Sequence, residues 1–209
     1  MERNPEFAAV SASLVELAGL GDVVKVVVGP SGEGLRRLKE EMGVERVGLM
    51  FLDHYKPAYT EDLKLCEELG LVGVGSVLAA DNVVTPGNPP YLEYVRSSMA
   101  EKRRRFEGGG GANGGVDERF AERTSKQYAQ REGEEKLDER VKGNPNLVYE
   151  SKLVDSFEPT GEKVSATFAG CRWVADDACR MGWRLQDVWG KSLEDTENQI
   201  RATSNWRDD

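Results

Sequence analysis

One histidine, three cysteines and no long apolar run mark this chain of 209 residues more than any abundance does. Cys66, Cys171 and Cys179 have neither the density of a disulfide framework nor the paired spacing of a zinc site. A reducing compartment is therefore expected. No apolar stretch reaches the roughly 20 residues that span a bilayer. The opening MERNPEF lacks the basic-then-apolar pattern of a signal peptide. A cytoplasmic protein with no membrane contact is the expectation. Positive charge is also short: 28 Lys and Arg stand against 37 Asp and Glu, for a net charge of −9. Nucleic acid and anionic membranes are recognised through clustered Lys and Arg. The one basic cluster, residues 102–105, is followed by Glu107 and reads as the solvated end of a helix. No GxGxxG follows any predicted strand, which argues against a dinucleotide-binding module.

What the chain does have is an alternation of short buried strands and helices. Residues 5–19 read as an amphipathic helix, with Pro5 at a first helical position and Gly19 and Gly21 at its end. VVKVVVG at 23–29 is short, β-branched and mostly apolar, the pattern of a strand covered on both faces. Residues 32–43 read as a helix and 46–53 as a second buried strand. A helix over 60–70 has Thr60 as its N-cap and Gly70 at its C-terminal end. Residues 75–82 form a third strand, and 89–105 a helix opened by proline. Such alternation predicts βαβ units, a parallel sheet and helices on both faces.

The composition then changes. Residues 107–143 are rich in glycine and charge and poor in aliphatics, which predicts a flexible insertion. Residues 144–159 return to strand-like sequence. From about 164 the period is lost, and all four tryptophans follow residue 170. The domain reading is a core over 1–106, the insertion over 107–143, late strands of the same domain over 144–163, and a poorly ordered tail over 164–209.

Two predicted strands each finish on an acid, Asp53 and Asp81. In a parallel sheet both lie on the carboxyl edge, where open α/β sheets bind ligands. If the two strands pair, at about 4.8 Å, their carboxylates repel and a cation relieves the repulsion. Asn82 adds a neutral oxygen. Two carboxylates and an amide make a partial shell for Mg²⁺, which keeps several ligands from water or substrate. The competing reading is that Asp and Asn sit at strand ends because they start turns; spacing alone leaves both open.

The motifs FLDHYK, LAADNVVTPG, AGLGDVVKVVVGPSG and YLEYVR, in that order and spacing around an acid pair 28 positions apart, resemble the catechol O-methyltransferase family, its fungal-type members above all. The resemblance runs from Met1 to about Ser98 and resumes over 144–159. It implies a Rossmann-like methyltransferase fold using S-adenosylmethionine and Mg²⁺, acting on a small-molecule catechol, with a monomer expected. By similarity Asp53, Asp81 and Asn82 would hold Mg²⁺, and Lys56 would be the base. Glu2 would grip the cofactor ribose, Ser31 and Gly32 would form the turn by the adenine, and Asp53 and His54 would lie on the cofactor side. Tyr55, Lys56, Asn82 and Pro86 would line the acceptor site.

Three departures stand against the pattern. The family's first strand and its Gly-rich turn, which receives the methionine end of the cofactor, have no counterpart in this sequence, so the sheet is expected to be incomplete and cofactor affinity very weak. The family's late acid falls on Val154, with Asp155 beside it; a one-residue slip would turn that side chain to the other face. From Val164 onward the resemblance ends. An inactive remnant that binds metal or a partner is the alternative reading.

Overall fold

The computed structural model of the chain describes residues 1–107, 140–157 and 163–173. The chain divides into two units, Met1–Val174 and Ala175–Asp209, and all described residues lie in the first. Most of the predicted insertion, and Trp183, Trp189 and Trp206 of the tail, fall outside the described residues.

Helix α1 (Pro5–Leu17) begins as the sequence predicts. Asn4 accepts from the N–H groups of Glu6 and Phe7, and Pro5 needs no partner for a missing N–H. The valine-rich run at 23–29 is not a strand. Its ladder contact is one isolated parallel bridge, Glu2 to Val28. Val27 is buried, whereas Val23, Val24 and Val28 are exposed. β-branched residues supply propensity, but a strand persists only with partners along its edge.

The sheet has four strands in the order β1-β2-β4-β3: β1 (Leu49–Leu52), β2 (Val77–Ala80), β3 (Leu147–Phe157) and β4 (Lys163–Trp173). β1 and β2 are parallel, with Leu52 opposite Ala80. β4 runs antiparallel to both β2 and β3. The expected α/β class is borne out, but the sheet is mixed. Residues 163–173, read from sequence as late-strand end and tail, instead supply a central strand. Thr167, Ala169 and Cys171 of β4 are buried. Val154 lies opposite Ala166 and Asp155 opposite Ser165.

β2 is covered on both faces, as expected, but β1 is not. Leu52 is buried while Leu49 and Phe51 are 63% and 65% exposed. Alternate residues of a strand point to opposite faces, so one face of β1 lacks cover among the described residues.

Helix α2 (Ser31–Glu40) and helix α3 (Tyr59–Glu68) pack on one another. The predicted Thr60 cap is not used. A 3₁₀ turn, Lys56–Ala58, runs directly into α3, so Ala58 holds the cap position without a side-chain bond. Gly70, at φ +69°, ends the helix in the left-handed conformation its sequence position predicts. The core gathers Leu63 and Cys66 of α3, Leu52, Leu78 and Ala80 of the sheet, and Tyr91 and Val95 of the next helix.

The predicted helix over 89–105 is two helices, α4 (Pro89–Arg96) and α5 (Met99–Glu107). Ser97 is extended at ψ 137°. Ser98 and Glu101 then form a reciprocal capping box: Ser98 N–H donates to Glu101 at 2.7 Å and Glu101 N–H to Ser98 Oγ at 3.3 Å. The S-x-x-E signal within an apparently continuous helical stretch is the physical cause of the break.

Candidate functional site

β1 and β2 end side by side, with Asp81 N–H donating to Leu52 C=O at 3.0 Å. Asp53 and Asp81 therefore follow directly on paired strands, as the strand-end reading requires. Lys56 enters from the 3₁₀ turn beyond β1. Its side chain is only 4% exposed. The ammonium reaches Asp53 Oδ1 at 3.3 Å, the Asp81 carbonyl at 3.2 Å and Tyr59 Oη at 2.6 Å. Three acceptors match the three donors of a lysine ammonium. They offset the cost of taking that charge out of water, which is several kcal/mol for an unpaired ion.

Asn82 follows in the left-handed region, φ 53° and ψ 36°, as the one non-glycine residue with positive φ among those described. Asparagine tolerates this conformation better than most residues, and such backbone gathers at functional sites. Asn82 opens a single π turn, Val83–Gly87, a form of helix that recurs at such sites. Two carboxylates and an amide, all hard oxygen donors on one edge, match in chemistry part of a Mg²⁺ shell. Among the described residues no group of three or more His, Cys, Asp and Glu could hold a metal ion; in this set the third donor would be an amide.

Tyr59, at the start of α3, joins the elements of the site. It is fully buried. Its hydroxyl accepts from Lys56, its ring stacks on His54 at 4.9 Å between centroids, and Tyr91 meets it edge-on at 5.8 Å. Asn88, also buried, donates to the Lys56 carbonyl at 2.7 Å while capping α4. Neither residue was identified from sequence. Asn-Pro-Pro does announce an N-cap, but nothing local shows that its amide reaches back 32 residues to Lys56.

The residues assigned to the cofactor side fall into two places. Glu2 is tied into the backbone beside Val27, its N–H donating to Val27 C=O at 2.9 Å and its carboxylate accepting from Asn4 N–H at 2.7 Å. Ser31 and Gly32 open α2, whose N-cap position is Pro30 with no side-chain cap. Ser31 Oγ is buried without a hydrogen-bond partner. An orphaned hydroxyl beside uncapped helix N–H groups suits a polar ligand. His54 donates or accepts at Nε2 with Asp62 Oδ2, 2.7 Å away. A Cβ added at Gly32 would lie 4.0 Å from Asp62 Oδ1, so Asp62 spans from the histidine to the α2 turn. Tyr55 is buried at the N-cap of the 3₁₀ turn. Pro86 lies within the π turn, and its side chain is outside the described set.

A second polar cluster, away from this edge, was also missed. Glu67 of α3 is buried and accepts from Tyr94 and Tyr149 hydroxyls, both at 2.5 Å, and from Asn144 N–H at 2.7 Å. Lys102 completes it, 3.5 Å from Glu67 and 3.9 Å over the Tyr94 ring. Burial drives the Lys102 ammonium below its ordinary range, and lifts both tyrosines well above theirs. The cluster fixes where the chain re-enters the fold after the insertion and leads into β3.

Residues 1–100 match the family model described as O-methyltransferase. Catechol O-methyltransferase B of Danio rerio is 46% identical over 102 residues, covering 49% of this chain and 39% of that protein. Catechol O-methyltransferase of Bos taurus is 47% identical over 98 residues, covering 47% of this chain and 36% of that protein. A solved structure, the O-methyltransferase from Bacillus cereus in complex with SAH, superposes with a TM-score of 0.43 at 16% identity, over 80% of this chain and 60% of that one. Residues 1–100 thus resemble the O-methyltransferase family. Within it, their resemblance is to the catechol O-methyltransferases, of which the chain spans well under half the length of the two relatives named.

Proposed function

We propose that this chain carries the acceptor and metal side of a catechol O-methyltransferase, and that it transfers a methyl group from S-adenosylmethionine to a catechol hydroxyl. The observation that carries the reading is the placement of Lys56. One ammonium touches the Asp53 carboxylate and the Asp81 carbonyl at the ends of two parallel strands.

Asp53, Asp81 and Asn82 would hold Mg²⁺, and Glu2, Ser31, Gly32, Asp53 and His54 would hold the cofactor. When bound, the cofactor supplies a sulfonium methyl and the metal makes a chelated hydroxyl more acidic. Lys56 would be the base, its Nζ held beside the strand ends by Tyr59, the Asp81 carbonyl and Asp53. Lys56 Nζ would take the proton of the acceptor hydroxyl, whose oxygen would then face the sulfonium methyl that the bound cofactor supplies. Tyr55 and Pro86 would wall the ring. Holding acceptor and donor in line is the protein's main contribution.

The test is turnover with labelled S-adenosylmethionine, a catechol and Mg²⁺. The chain should release methylated catechol, and Asp81→Ala should abolish it. Activity that survives in Asp81→Ala would refute the metal assignment.

A further inference from the structure

The sole histidine of the chain is held by an acid that no motif singles out. Asp62 sits in the first turn of α3, its side chain 6% exposed, and its Oδ2 lies 2.7 Å from His54 Nε2. His54 is 32% exposed and stacks on the buried ring of Tyr59, with 29° between the planes. The imidazole is thus fixed in two ways: by its plane, through Tyr59, and by its rotation within that plane, through Asp62. The α3 N-terminus favours a carboxylate in its first turn.

We propose that Asp62 is a positioning residue that sets the tautomer of His54. A buried carboxylate accepts and does not donate, so the neutral imidazole must place its proton on Nε2. Nδ1 then carries a lone pair and becomes a hydrogen-bond acceptor on a side chain that is 32% exposed. The ligand group it takes is an N–H or O–H donor, not an anion or a carbonyl. Asp62 also approaches the Gly32 turn, where Ser31 Oγ is buried without a partner. On the cofactor reading above, the histidine acceptor and the orphaned hydroxyl belong to one ligand subsite, with Asp62 between them. The ligand assigned to it rests on the cofactor reading above; the tautomer does not.

A single histidine makes the test direct. Nitrogen-15 spectra of the whole chain, recorded well above the ordinary imidazole range, should show one directly bonded Nε2–H signal. Its proton should exchange slowly, and Nδ1 should carry the shift of an unprotonated ring nitrogen. In Asp62→Ala the Nε2–H signal should be lost to exchange, and affinity for S-adenosylhomocysteine should fall about tenfold. Asp62→Asn, nearly the same shape, guards against a folding defect and should restore the signal in part. A wild-type spectrum with the proton on Nδ1, or an Asp62→Ala chain with both the signal and the affinity unchanged, would overturn the proposal. A wild-type chain with the Nε2–H signal in place, but with no S-adenosylhomocysteine binding or with binding indifferent to His54→Ala, sinks the cofactor reading and leaves the role of Asp62 standing.

Discussion

Lys56 donates a 2.6 Å hydrogen bond to Tyr59, a residue with no solvent exposure, and this bond aims the ammonium at the strand ends. The pair stand three positions apart in sequence, and the 3₁₀ turn between them makes the bond possible. Lys56→Ala should lower kcat by about 10²–10⁴, the ordinary range for loss of a general base. Tyr59→Phe keeps the lysine and should lower kcat by about threefold to tenfold with KM little changed. Steady-state kinetics checks both; a Lys56→Ala chain with near-normal kcat would remove lysine from the chemistry.

Stability should fall in alkaline solution. Burial raises the Cys171 thiol from 9.0 to about 12, and raises Cys66, Tyr91, Tyr94 and Tyr149 as well. Above pH 9.0 for the thiols and 10.0 for the phenols, the unfolded chain loses protons that the folded chain keeps. Stability from these groups is complete below those values and declines as pH rises. Lys64 and Lys102, lowered by burial, act in the opposite sense up to 10.5. Above 10.5 the lysines no longer oppose the thiols and phenols, so the urea midpoint should drop as pH rises beyond about 10.5. Cys171→Ala should flatten that slope. A midpoint that rises with pH would contradict the account.

The Glu67 cluster should be sensitive to the backbone that crosses it. Gly143 has φ +78°, and a Cβ there would collide with the Tyr94 hydroxyl and the Glu67 carboxylate. Gly143→Ala combines backbone strain with that collision and should cost more than about 1 kcal/mol in chemical denaturation. Glu67→Ala, which leaves the Lys102 ammonium buried and unpaired by charge, should cost about 3–5 kcal/mol. A wild-type midpoint in both would show that the cluster is not part of the stable fold.

β1 is an edge strand with Leu49 and Phe51 turned outward. An exposed apolar edge invites pairing with another chain. Phe51→Lys should reduce self-association in sedimentation while changing stability by less than about 0.5 kcal/mol. Equal association in the variant would place the sticky surface elsewhere.

Sequence patterns located β2, α3 and the strand-end acids because each depends on local signals: an apolar run, a terminal glycine, an acid at a strand end. Spacing alone left metal and turn open for Asp53 and Asp81, and said nothing specific of Lys56; the motif supplied that. The valine run at 23–29 misled because propensity does not provide a partner strand. β4 was read as late-strand end and tail because its role depends on pairing with β2, some ninety residues earlier in the chain. Asp62 and Glu67 carry no local mark, and Asn88 is marked only as an N-cap. Each matters through a contact set by the fold, such as that between Glu67 and Tyr149, 82 positions apart.

The central claim is that Asp53, Asp81 and Asn82 form an edge that takes Mg²⁺ and a catechol together. Ultraviolet difference spectra of a catechol titrated with the chain near neutral pH measure this without the methyl donor. The account predicts a catecholate band that needs both protein and Mg²⁺ and disappears in Asp53→Ala and Asp81→Ala. No band with the wild-type chain, or one of equal strength in the two variants, would contradict it.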